Sequence, residues 1–150
     1  HDQGVEAAMW MLERLEGGDE PRRLLLMEWV RLLFERPTLV EPLALKPLLL
    51  RRALDPSPEV ATKVTLCLAK AIEADRDFGH ELAIALHQRD DVLVQRAMAD
   101  VLTRLFRRLG EDAIPFLDDM LKSEDDNVLA AASATVGDPS TSIKRCGPTA

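Results

Sequence analysis

The chain has 150 residues, of which 47% are hydrophobic and 30% charged, and its net charge is −7. That length suits one domain with a real core, the hydrophobic share excludes the disordered class, and the negative balance disfavours nucleic-acid binding by phosphate neutralisation. Leu and Ala dominate, aromatics are only 4% and Tyr is absent, a balance that favours helices over sheets. The N-terminal stretch carries acids where a signal peptide needs a basic region. The longest apolar runs, such as "LALKPLLL" at 43–50, fall far short of the ~20 residues that span a bilayer. Two cysteines, Cys67 and Cys146, make no disulfide framework, which fits a reducing intracellular compartment, cytoplasm or nucleus. The chain opens on His1 rather than Met, pointing to a piece of a longer or processed protein.

In chain order, "VEAAMWMLERL" at 5–15 predicts a first helix with Val5, Ala8, Met9, Leu12 and Leu15 on its apolar face. Trp10 and Met11 fall outside that stripe, as they would if an upstream repeat covered them, so this helix reads as the second of an incomplete repeat. The remainder repeats itself. "LMEWVRLLF" from Leu26, "DPSPEVATKVTLCLAKAI" from Asp55, "RDDVLVQRAMADVLTRLF" from Arg89 and "EDDNVLAAASATV" from Glu124 share one form. They align with Leu26, Val60, Val94 and Val128 in register, the same interval separating each from the next. Leu26, Val30, Leu33 and Phe34 then match Val60, Val64, Cys67 and Leu68. Val94, Met98, Val101 and Leu102 follow, then Val128, Ala132, Thr135 and Val136. Offsets of 0, 4, 7 and 8 mark one face of a helix. Shorter amphipathic helices are expected between these, at about 41–53, 77–88 and 111–122. Pro21, Pro42, Pro58 and Pro115 fit early helical positions, and Asp19, Asp55, Ser57, Asp77 and Asp90 fit caps or first-turn acids.

The "DPSPEV" turn followed by a small-residue-rich helix resembles the turn and second helix of HEAT-repeat proteins, over roughly residues 20–136. The resemblance implies an all-α chain, a right-handed α-solenoid of about four HEAT-like antiparallel helix pairs, with the repeat domain over 1–136. From Gly137 the composition changes to "GDPSTSIKRCGPTA", with little to pack and two prolines, which reads as a flexible polar tail over 137–150. It departs from the family pattern where Arg often follows the valine, since Ala61, Gln95 and Leu129 stand there. Tetratricopeptide arrays share the period but place Gly and Tyr in their first helix, and this chain has no Tyr.

His80, Glu81 and His87 in "GHELAIALHQ" are the side chains that look most like metal ligands. HEAT-repeat deoxyhypusine hydroxylases carry His-Glu pairs on several repeats, where imidazoles and carboxylates converge on two irons. Here the positions one period away are Lys46, Pro47, Ile114 and Pro115, which supply no ligands. Ile84 likewise stands where a zinc-protease motif needs its second His. Asp118-Asp119 and Asp125-Asp126 lack the alternating spacing and central Gly of a calcium loop. No catalytic residue, metal or cofactor is assigned.

Charge does recur with the period. Arg36, Lys70 and Arg104 follow one another at that same interval, Leu32 and Leu66 precede two of them by one turn, and Arg31, Arg96, Arg107 and Arg108 share the same second helices. In HEAT-like proteins these helices line the concave surface. A leucine ridge flanked by cations suits an acidic, partly helical segment of another protein. The partner-binding set is therefore Arg31, Leu32, Arg36, Leu66, Lys70, Arg96, Arg104 and Arg107, in an interaction scaffold that needs no membrane and no nucleic acid. A metal-dependent hydroxylase or lyase on helical repeats, or a nucleic-acid-binding array, stays open as an alternative. In the tail, Ser140, Thr141 and Ser142 beside Lys144 and Arg145 are candidates for phosphorylation, and Cys146 does not fit a prenylation box.

Overall fold

A computed structural model describes residues 2–139 and 141, and among these all regular structure is helical. α1 (Asp2–Glu16) packs on α2 (Glu20–Phe34). A 3-10 turn, Pro42–Leu45, leads into α3 (Lys46–Ala53), which packs on α4 (Pro58–Thr65); the chain resumes after a short break as α5 (Leu68–Ala74). α6 (Arg76–His87) packs on α7 (Val92–Asp100), continued as α8 (Leu102–Leu109). A second 3-10 turn, Gly110–Ala113, opens α9 (Ile114–Met120), which packs on α10 (Asp126–Val136). α4 also lies against α2 and α7, α7 against α10, and α3 against α6. No helix is long and apolar enough to cross a membrane among the described residues.

The helix starts follow from capping chemistry. Asp19 accepts the Arg22 N–H, Ser57 the Val60 N–H, Asp75 the Phe78 N–H and Asp125 the Val128 N–H, each satisfying a first-turn donor that the helix cannot. Ser57, Asp91 and Asp125 occupy the N-cap position of α4, α7 and α10, one period apart. Among the sequence-predicted caps, Asp77 is a first-turn acid of α6 while Asp75 caps it, and Asp91 rather than Asp90 sits at the N-cap of α7. The turn after α8 depends on Gly110, whose φ of 60° is left-handed territory that disfavours a Cβ.

The core follows the 0, 4, 7, 8 register. Leu26, Val30, Leu33, Phe34, Val60, Val64, Cys67, Leu68, Val94, Met98, Val101 and Leu102 are all buried, as are Val128, Ala132 and Thr135. Val136 is the departure, at 49% exposed, because no described helix packs beyond α10 on that side. Leu129 is open for the same reason, while its counterpart Ala61 is covered. The register also marks where the helices break. Leu66 (ψ −16°) and Cys67 (ψ −6°) interrupt α4–α5, and Val101 (ψ 3°), one period on from Cys67, interrupts α7–α8. At both places the N–H bonds the carbonyl three residues back instead of four. The Thr65 hydroxyl donates to the Thr62 carbonyl at 2.6 Å, a local bond that competes with the helical ladder and bends it. α2 and α10 run one residue past this register and end at Phe34 and Val136, the counterparts of Leu68 and Leu102, where α5 and α8 begin.

One expectation is corrected. α1 pairs with α2 as the leading helix, and Glu16 at its end meets Arg51 (2.7 Å) and Arg52 (3.3 Å) at the end of α3. It is thus a first helix, not the second of an incomplete repeat. Trp10 is exposed and carries the Arg14 guanidinium 5.0 Å above its ring, whereas Met11 packs on the core. Within the segment expected as a tail, Thr141 is buried and donates to the Thr135 and Asp138 carbonyls at 2.7 and 2.8 Å. Ser140, Ser142, Lys144, Arg145 and Cys146 lie outside the described residues.

Cys67 is buried among apolar side chains, and that burial pushes its thiol up to about 12 against the pull of Arg31. Thiolate is the reactive form. In a Cys146→Ser variant, a thiol reagent at neutral pH should therefore leave the native protein unlabelled and label it fully in denaturant. Rapid native labelling would show that the break at Leu66 and Cys67 opens readily.

Candidate partner-binding face

The second helices carry the sequence-predicted set, and the structure divides it. Arg31 and Leu32 lie on α2, Leu66 in the break after α4, Lys70 on α5, Arg96 on α7, and Arg104 and Arg107 on α8. Arg36 lies in the turn after α2 and not on a helix, because Glu35 already closes α2 with its N–H on the Leu32 and Leu33 carbonyls. The expected three-membered basic column therefore has two helical members, Lys70 and Arg104, on the packed pair α5 and α8.

Charge pairing separates the cations further. Arg31 bonds Glu28 one turn away at 3.0 Å. Arg96 forks onto Asp125, the N-cap of α10, with Nη2 2.8 Å from Oδ1 and Nε 3.2 Å from Oδ2. Arg108 reaches from α8 to Glu73 on α5 at 2.7 Å, and holds that carboxyl below its usual range. These three guanidiniums serve their own fold. Arg36, Lys70, Arg104 and Arg107 are exposed and form no ion pair among the described residues. They retain the charge that a partner would meet.

The apolar part of the face is larger than the sequence suggests. Leu32 and Leu66 are about half exposed, at 48% and 51%. Leu25 and Trp29 are exposed too, and with Leu32 they make a stripe at spacings of four and three along α2. That stripe escapes a periodicity search because α2 is apolar on its buried side as well, through Leu26, Met27, Val30 and Leu33. The ridge is not continuous: one period beyond Leu66 stands Asp100, which is exposed.

The histidine stretch is absorbed by packing. His80 and His87 both meet the Phe116 ring edge-on, with centroids 6.3 and 4.9 Å away. His87 Nε2 lies 2.9 Å from Asp119 Oδ2, and Glu81 pairs with Lys46 at 3.2 Å, joining neighbouring first helices. No three His, Cys, Asp or Glu side chains converge as metal ligands would, among the described residues.

The densest polar cluster was not among the predicted sites. Asp55 is buried in the α3–α4 turn and accepts from Arg23 Nε (2.8 Å) and Nη2 (3.1 Å), from the Ser57 N–H (2.8 Å) and from Arg52. Arg23 also donates to the Gly18 carbonyl at 2.9 Å, and the Ser57 hydroxyl donates to Glu20. Arg52 Nε faces Glu16 at 3.3 Å but is out of line for a hydrogen bond. The cluster joins α1, α2, α3 and α4, so it is a structural brace. The "DPSP" turn was a visible signal for a cap, but nothing local announces two arginines from elsewhere in the chain. Polar contacts between elements, such as Arg96 to Asp125, Arg23 to Asp55, Arg76 to Asp112 and Ser57 to Glu20, span 29 to 37 residues, about one period each.

No protein-family model matches this sequence, no curated protein matches it, and no solved structure matches it.

Proposed function

We propose that this chain is a HEAT-like, right-handed α-solenoid that acts as a protein-interaction module, receiving an acidic, partly helical segment on the face of its second helices. The observation that carries this reading is the exposed stripe of Leu25, Trp29, Leu32 and Leu66 beside cations, Lys70 and Arg104 above all, that hold no ion pair among the described residues. Apolar side chains with this exposure supply affinity, and unpaired cations set register and speed encounter. Part of the net charge of −7 lies off this face, in Glu111, Asp112, Asp118 and Asp119 of α9 and the turn before it, and the acids on the face at Glu28 and Glu73 are paired with Arg31 and Arg108.

The test is a charge reversal read by fluorescence anisotropy with acidic amphipathic helical peptides. Lys70→Glu with Arg104→Glu should weaken binding roughly tenfold or more, equivalent to about 1.4 kcal/mol, and leave the thermal melt in place because both side chains are exposed. Unchanged affinity in the double variant would remove the second-helix face from consideration.

A further inference from the structure

The last three of the four turns that join a first helix to a second place Asp55, Arg89 and Ser123 at equivalent positions, one period apart. In the middle turn Arg89 reaches back to the preceding repeat. Its Nη1 donates to the Ala53 carbonyl at the end of α3 at 2.9 Å, while Nε and Nη2 fork onto Asp91 at 2.7 and 3.0 Å. One period later the counterparts are His87 for Ala53, Ser123 for Arg89 and Asp125 for Asp91. Ser123 is far shorter than arginine; its hydroxyl accepts the Asp125 N–H at 3.0 Å. The His87 carbonyl accepts no hydrogen bond among the described residues. Where an arginine fills the middle junction, this junction leaves a cleft of about 270 Å³.

The cleft's chemistry matches the side chain that is missing from its register. Met98, Met120 and Val128 are buried and form its apolar base, while Asp90 and Asp119 stand at its exposed edge. Gln95 is held by its amide on the Arg89 and Asp90 carbonyls, so that wall is fixed. Arg89 also borders the cleft, but its guanidinium is engaged by Asp91 and Ala53. Asp125 is taken by Arg96, which leaves Asp90 and Asp119 as the available carboxylates, the latter shared with His87. The volume is below the ~300–1,000 Å³ of a drug-sized site and suits one long side chain. An alkyl stem lies well along thioethers while its charged head stays at a polar edge, and a planar guanidinium is the cation best matched to a carboxylate and a carbonyl together.

We propose that this cleft is a binding site for an arginine side chain presented by a partner polypeptide. It would repeat in trans the carbonyl contact that Arg89 makes within the chain, with its guanidinium on the His87 carbonyl and its stem on Met98 and Met120, but with Asp119 as the acid in place of Asp125, the counterpart of Asp91, which Arg96 holds. The site is separate from the second-helix face, and its ligand has the opposite charge to the one proposed there.

The probe is Nα-acetyl-arginine methylamide, titrated into protein carrying 13C-labelled methionine methyl groups. The methyl signals of Met98 and Met120 should shift saturably while those of Met9, Met11 and Met27 stay in place. The citrulline analogue, equal in shape but uncharged, should bind at least ~tenfold more weakly, as loss of a charge-assisted pair requires. Ser123→Arg, which supplies the guanidinium in cis, should abolish the response and raise the melting temperature; Asp119→Asn, which keeps the cleft's shape, should weaken it independently. Equal shifts with citrulline, an undiminished response in both variants, or no shift at all would overturn the assignment. So would tighter binding of free arginine than of the capped form, which would make the ligand a small molecule.

Discussion

Replacing Asp55 by alanine should destabilise the protein by on the order of 3 kcal/mol, read as a fall in the denaturant midpoint. Removing one partner of a buried charged cluster leaves the others uncompensated, at a cost of ~3–5 kcal/mol in known cases. Here Arg23 and Arg52, both largely covered, would lose their shared carboxylate, and the Ser57 N–H would lose its acceptor. Asp55→Asn separates the contributions, since it keeps an oxygen for Ser57 but removes the charge. Acid should act in the same direction. Burial raises the Asp55 pKa, but the Arg23 hydrogen bonds, the Ser57 N–H and the charges of Arg23 and Arg52 outweigh it and hold it below its ordinary 3.8. A depressed carboxyl contributes stability that is fully present above its unfolded value and is lost as pH falls through the folded one. Glu73, Asp91, Asp112 and Asp125 are depressed too, each led by a hydrogen bond from an arginine. Stability with respect to these groups should be flat from neutral pH to about 5 and fall below about 4. In the Asp55→Ala variant the acid limb should be shallower.

Gly79→Ala carries the second large effect, and its sign runs against helix propensity. Alanine is favoured over glycine inside a helix by about 1 kcal/mol, and Gly79 lies inside α6. Yet a Cβ built there would stand 2.3 Å from Ile72 Cγ1 and 2.6 and 2.7 Å from the Ile72 Cα and N. Backbone atoms of α5 cannot rotate away, so the close approach of α5 and α6 would have to open. Overpacking of this kind costs ~1–3 kcal/mol, and with backbone in the clash the upper end is expected. Gly4→Ala is the control: its Cβ would meet only Leu39 Cδ1 at 3.7 Å, an ordinary contact, so it should be neutral or stabilising by up to about 1 kcal/mol. A Gly79→Ala protein as stable as wild type in chemical denaturation would mean that α5 and α6 are not packed this closely.

The close approach at Gly79 is a good example of what a linear reading misses. Apolar periodicity identifies Leu82, Ala83 and Leu86 on α6, and all three are buried. It has no means to register that Gly79 is there because another helix backbone touches it. The second-helix register predicted burial well because a 0, 4, 7, 8 pattern is a property of one helix alone. It failed at Val136, where burial depends on a neighbour that α10 lacks on that side among the described residues. Arg36 follows the period in sequence but not in structure, because α2 stops at Phe34 while the segments carrying Lys70 and Arg104 re-form a helix after the break. The pairing of Arg31 and Arg96 was likewise invisible, since period locates a charge but not the acid that neutralises it. The cleft beside Ser123 needed both kinds of information, the register to find the counterpart of Arg89 and the structure to find the space.

Polar ties that reach across 29 to 37 residues have a consequence for how such a chain can change in length. A side chain in one unit is answered from the adjoining unit, so duplicating or excising one period between equivalent points disturbs the junctions and leaves contacts within each remaining unit as they were. In the proposed solenoid, size would then be an adjustable property, added or removed in whole turns of the pattern.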